Sequence, residues 1–117
     1  LRRRRVAMMK GRVHVIARPG VAEGFALAGL QVTELAANSE AGGRIVAIAE
    51  DEANALVLVE EPLFALVSET DRAELAKRAV PIVVPFPAPR WDEISAGPAD
   101  YILALLQRAI GYRVRLQ

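Results

Sequence analysis

The chain has no cysteine, a single histidine, only three serines and no uninterrupted apolar stretch of membrane-spanning length. Each shortage removes a class of function. Without thiols there is no disulfide framework, no iron–sulfur cluster and no cysteine nucleophile, and His14 alone cannot complete a zinc ribbon. None of Ser39, Ser68 and Ser95 stands in the G-x-S-x-G turn that presents a hydrolase nucleophile. A secretory signal needs an apolar run after its basic region, and Val6-Ala7-Met8-Met9 is interrupted by Lys10. No window approaches the roughly 18 apolar residues that a membrane helix requires. What remains is 117 residues, 53% of them apolar, enough for one domain whose core needs no metal or disulfide staple.

The formal charge of +1 is unevenly distributed. Residues 1–12 carry six basic side chains and no acid, whereas the other 105 carry nine basic and fourteen acidic ones. A cluster of arginines suits a nucleic-acid or anionic-membrane arm. The competing and preferred expectation is that residues 1–11 are a basic leader, disordered or not native, with Met8 or Met9 as the natural start. The arginine run lacks interleaved aromatic residues for base stacking, so no specific nucleic-acid partner is expected.

From residue 12 onward, short β-branched runs alternate with helix-length segments. Residues 12–17 read as a strand. Residues 21–30 read as a helix burying Val21, Phe25, Ala28 and Leu27, with Gly24 and Ala28 allowing a close approach to a sheet and Gly29 in a left-handed C′ position. A second strand spans 32–35. Asn38 or Ser39 is expected to cap a helix buried through Ile45, Val46, Ile48 and Ala49, its first turns weakened by Gly42-Gly43. The apolar run 55–59 fits a strand covered on both faces. Pro62 opens a helical stretch over 63–79 whose apolar positions are Leu66, Val67, Leu75 and Ala79, with an interruption near Ser68 to Asp71. Residues 81–86 form a fourth strand, placed at an edge by Pro85. The expected organisation is an α/β core over 12–86, a Pro-rich loop over 87–98 that holds Trp91, and a C-terminal helix and tail over 99–117. Strand–helix alternation predicts a single α/β domain with a four-stranded parallel sheet, order 2-1-3-4, and helices on both faces.

In such a sheet a ligand ordinarily lies at the carboxyl ends of strands one and three. That place is lined here by Ala17-Arg18-Pro19-Gly20 and Glu60-Glu61-Pro62. A dinucleotide fold would need G-x-G-x-x-G after strand one, and the chain offers R-P-G-V-A-E-G; it has no P-loop either. A phospho-acceptor receiver domain would need acids after strand one, an aspartate ending strand three and a lysine after strand four, where Arg18, Glu60 and Pro85 stand. Glu60-Glu61 could bind a divalent cation, but carboxylates before a helix also answer its dipole, and this structural role is preferred. His14 is expected to be a satisfied core or sheet-edge residue. No active site and no cofactor are expected.

The C-terminal helix carries two apolar stripes, Ile102, Leu106, Ala109 and Ile110 on one and Tyr101, Leu105 and Tyr112 on the other. That is more than packing on one side needs. Arg108, Arg113 and Arg115 lie beside them, and 112–116 alternates apolar and basic residues with a strand period.

Gly24-Phe25-Ala26-Leu27-Ala28-Gly29-Leu30 resembles the GF-x-LAGL signature of the F subunits of V-type/A-type rotary ATPases. The apolar strand ending in Glu60-Glu61, the run Pro81-Ile82-Val83-Val84-Pro85-Phe86-Pro87 and the ending Arg108-Ala109-Ile110-Gly111-Tyr112-Arg113-Val114-Arg115-Leu116 follow in that family's order. The likeness covers about residues 12–117. It implies a small flavodoxin-like α/β domain with a C-terminal extension, a non-catalytic part of the central stalk. Such a protein binds the stalk's long coiled-coil component, the D subunit, turns beneath the catalytic A/B head with transient contacts to it, and has a regulatory C-terminal part. The resemblance places it in the cytoplasm, peripheral to the membrane and without a span of its own. It points to Tyr101, Leu105, Arg108, Ile110, Tyr112 and Arg113 as partner contacts. Gly42-Gly43 departs from a usually helical part of the pattern. A receiver-like signalling or protein-interaction module without enzyme activity is the alternative.

Overall fold

The computed structural model describes residues 12–90 together with 100, 101, 104 and 105. Strands β1 (Arg12–Ala17), β2 (Gln31–Glu34), β3 (Asn54–Glu60) and β4 (Ile82–Phe86) form one parallel sheet in the order β2-β1-β3-β4, as expected. Helices α1 (Val21–Leu27), α2 (Ala41–Ala49), α3 (Glu61–Phe64) and α4 (Glu69–Ala76) fill the connections. Strand β3 is buried at every position, which is why its sequence is a continuous apolar run.

Side chains alternate across the strands and so divide the interior into two cores. On one face Val13, Val15, Leu56 and Leu58 pack with Phe25 of α1, with Phe86 and with Leu105. Phe25 and Phe86 meet edge to face at 5.1 Å. On the other face Ile16, Val57 and Val59 pack with Ala41 and Ile45 of α2 and Leu63 of α3.

Several local expectations need correction. Helix α1 ends at Leu27, and Leu27 and Ala28 are exposed; the buried positions are Ala22, Gly24 and Phe25, with Val21 half-buried. The helix closes early because Gly29, at φ 91°, turns the chain back: its N–H bonds Ala26 O at 2.9 Å and Leu30 N–H bonds Phe25 O at 3.3 Å. Leu27 lies two residues, about 200°, around the helix from Phe25 and therefore faces water. Strand β2 begins one residue earlier than read, and the buried Leu35 follows it. Neither Asn38 nor Ser39 is the N-cap of α2. That position is Glu40, which makes no side-chain cap, while Asn38 Oδ1 accepts the Glu40 N–H at 2.9 Å in a turn leading into the helix.

The stretch 63–79 is two helices. Ser68 separates them by capping α4, its Oγ accepting the Asp71 N–H at 3.1 Å. Leu66, in the break, and Ala79, past the last turn, are exposed rather than buried. A bulge also interrupts the pairing of β1 with β3: Arg12 pairs with Asn54 but Val13 pairs with Leu56, leaving Ala55 as the extra residue. The described residues 100, 101, 104 and 105 are helical and fall in the C-terminal helix and tail expected over 99–117. The expectations for 1–11, for 91–98 with Trp91, and for the tail beyond 105 concern positions outside the described residues.

Candidate functional site

Strand β1 sends the chain to β2 on one side, and β3 returns it on the other, so the carboxyl ends of β1 and β3 flank the position where open sheets take ligands. Arg18 and Glu60 fill it. Glu60, last residue of β3, is wholly buried, and its carboxylate receives three hydrogen bonds from Arg18. The Arg18 backbone N–H and Nε donate to Oε1 at 2.8 and 3.1 Å, and Nη2 donates to Oε2 at 2.8 Å. Hydrogen bonding to Glu60, and then its charge, push the Arg18 guanidinium above its ordinary value. This planar two-pronged pairing is the strongest form of carboxylate recognition open to a side chain.

The chemistry of the crevice follows. Glu60 is engaged by Arg18 and can ligate a cation or accept a phosphoryl group only if this half-buried ion pair is broken first. That arrangement opposes the receiver reading, which required a free acid at this strand end. Glu60 precedes α3 at its N-cap without using its carboxylate as a cap, and Glu61 in the first turn is exposed. The helix-dipole role therefore suits Glu61, whereas Glu60 neutralises Arg18. Sequence reasoning named both residues but did not pair them; a basic residue directly after β1 and an acid ending the adjacent β3 were the available signal.

His14 lies within β1 and is buried. Its Nε2 is 2.7 Å from Thr33 Oγ1, whereas Nδ1 has no partner. The expected satisfied core residue is therefore satisfied on one side of the ring only. Burial holds its pKa below the ordinary histidine value, and the nearby Asn54 side chain pulls the other way.

Two of the six expected partner-contact residues are described, and both meet the body. Leu105 is 9% exposed within the α1-side core, and Tyr101 packs against the same core while its hydroxyl donates to Pro87 O at 3.3 Å. The two thus belong together on one surface of the domain. Arg108, Ile110, Tyr112 and Arg113 lie outside the described residues. Among the described residues no helix is long and apolar enough to cross a membrane.

Comparison with known proteins agrees with this architecture. No curated protein matches the chain. Among solved structures it is similar to the V-type ATP synthase F subunit of Archaeoglobus fulgidus, at 18% identity and a TM-score of 0.59. That likeness covers 66% of this chain and 98% of the other, so at this identity the two share a fold, and part of this chain has no counterpart there. The sequence profile described as "ATP synthase (F/14-kDa) subunit" matches residues 13–104, which takes in both cores except Leu105 and stops short of the ending at 108–116. With most of its length matched in this way, the chain belongs to the family of ATP synthase (F/14-kDa) subunits.

Proposed function

We propose that the protein is a non-catalytic central-stalk component of a V-type/A-type rotary ATPase, on the cytoplasmic side and peripheral to the membrane. In this reading it binds the D subunit of the stalk and helps couple rotation between the catalytic A/B head and the ion-translocating sector. The observation that carries the reading is the family match over residues 13–104. The filled crevice supports it, because the place where this sheet class holds a substrate is closed by the chain's own Arg18–Glu60 pair.

The C-terminal segment is the proposed partner-binding and regulatory part. Tyr101 and Leu105 support a docked state in which the segment starts against the α1-side core. Arg108, Ile110, Tyr112 and Arg113 are the proposed contacts farther along, their guanidinium groups suited to acidic partner surfaces and their apolar groups to a helical one. Contact of a partner with Tyr101 or Leu105 would require the segment to leave the domain.

Coexpression with the D subunit tests the reading. A stable complex that survives purification is expected. Two folded proteins that do not associate would overturn the proposal. Repeating the experiment without residues 99–117 separates anchoring from regulation: retained binding assigns the anchor to the α/β core, and lost binding assigns it to the C-terminal segment.

A further inference from the structure

The two edges of the sheet are finished differently. Strand β2 has four residues, and just past its end the Leu35 N–H donates to Ala17 O at 3.0 Å, so Leu35 turns its backbone toward β1. Backbone groups alternate in direction along a strand, which leaves Val32 and Glu34 turned outward. Both have an N–H to give, but the edge is short and ends in the exposed charge of Glu34, two ordinary protections against pairing with another chain.

Strand β4 lacks the charge. It reads Ile82-Val83-Val84-Pro85-Phe86, and no charged residue occurs between Arg78 and Arg90. Ile82, Val83 and Val84 are half-buried, and β4 pairs only with β3 among the described strands. A β-branched, uncharged edge of this kind is a template for self-association.

What β4 has instead is proline at alternate positions. The ladder with β3 runs without a break from Leu56 and Ile82 to Glu60 and Phe86, although Pro85 has no N–H to contribute. The nitrogen of Pro85 therefore points away from β3, and the residue is exposed. Alternation then assigns Ile82, Val84 and Phe86 to the bonds with β3 and puts Val83 on the outer side with Pro85. Pro81 and Pro87, directly before and after the strand, are the next members of the same outward set. Over 81–87 the outer edge thus keeps one backbone donor, the N–H of Val83.

We infer that these prolines, Pro85 above all, close the β4 edge to strand addition by a second copy of this chain. Two β4 edges meeting antiparallel about a two-fold axis would set Val83 of one copy opposite position 85 of the other, as a pair that exchanges both N–H···O bonds. Proline deletes the bond donated from position 85 and puts its ring where the approaching strand would lie. Strand β4 can then stay free of charge along its whole length without becoming a site of aggregation. This inference is independent of the proposed stalk role.

Amide exchange and sedimentation of the full chain test it. In the unmodified chain the Val84 and Phe86 amides should be protected, and the Val83 amide should exchange at least about tenfold faster than either. Pro85→Thr supplies an outward N–H and breaks no bond between β3 and β4. Its average mass should rise with concentration well above that of the unmodified chain, and in the associated species the amides at 83 and 85 should become protected. Pro85→Ala, the smallest change that adds the N–H, is measured beside it and should behave alike. A Val83 amide as protected as that of Val84 in the unmodified chain would overturn the proposal. So would folded Pro85 variants no more associated than the unmodified chain, or an association that leaves the Val83 amide in free exchange. The exchange pattern of the unmodified chain tests the outward geometry even if neither variant folds.

Discussion

Arg18 follows β1 with its side chain partly in water and Glu60 ends β3 wholly buried, and the difference in their exposure decides what each substitution does. Glu60 has no contact with water, whereas the Arg18 side chain is 41% exposed. Removing the arginine strands a buried carboxylate; removing the acid leaves a cation that can turn toward solvent. Arg18→Ala should therefore destabilise the fold by about 3 kcal/mol, the low end of the range for breaking a buried pair because one partner is already hydrated. Glu60→Gln should be milder, and the double variant Arg18→Ala/Glu60→Gln should recover most of the loss. Urea unfolding of the four proteins checks this, and additive losses in the double variant would show that the two residues do not act as a pair. The pairing itself was only half legible in the sequence. Its two residues were visible at the correct strand ends, but a hydrogen-bonded fork across 42 residues is a product of the β1–β3 register, which becomes definite only once the sheet is formed.

Helix α2 shows at the scale of an element why two neighbouring glycines have different meanings. Read as helix formers, Gly42 and Gly43 are equal liabilities. Their surroundings differ: a Cβ on Gly42 would lie 2.5 Å from the backbone oxygen of Leu66, whereas one on Gly43 would meet nothing within 4 Å. The first turn of α2 is thus pressed against the break after α3, and the glycine is what permits the approach. Gly43→Ala should stabilise the protein by about 0.5–1 kcal/mol through helix propensity. Gly42→Ala should destabilise it by about 1–3 kcal/mol, since backbone has to move and the propensity gain does not offset that strain. Midpoints of chemical denaturation moving in opposite directions for the two variants are the expected result. Hydrophobic periodicity located the helices and strands because it reports which face is buried. It could not show this contact, nor the bulge at Ala55 or the exposure of Leu27, because these depend on how one element ends or leans against another.

For the whole molecule, the decisive relation is between the α/β body and the segment that follows it. The strand order was predictable because strand–helix alternation, right-handed crossovers and an edge-marking Pro85 leave few arrangements of four strands. The apolar excess of the C-terminal helix had two explanations in sequence, cover for the sheet or contact with a partner, and Leu105 shows that cover is part of the answer. If the proposed partner takes the same segment, docking against the body and binding to the D subunit compete, and the free protein binds more weakly by the fraction of molecules in which the segment is released. Leu105→Asp should shift that fraction, because an ionised carboxylate is not tolerated in an apolar core. Trypsin should then cut at Arg108 faster than in the unmodified chain while 12–90 stays resistant. Affinity for the D subunit should rise in parallel, by about tenfold if nine molecules in ten were docked before the substitution and the partner is held by residues beyond Leu105; a fall in affinity would make Leu105 itself a contact. Faster cleavage with unchanged affinity would mean that the partner binds the body and that the C-terminal segment serves only as its cover.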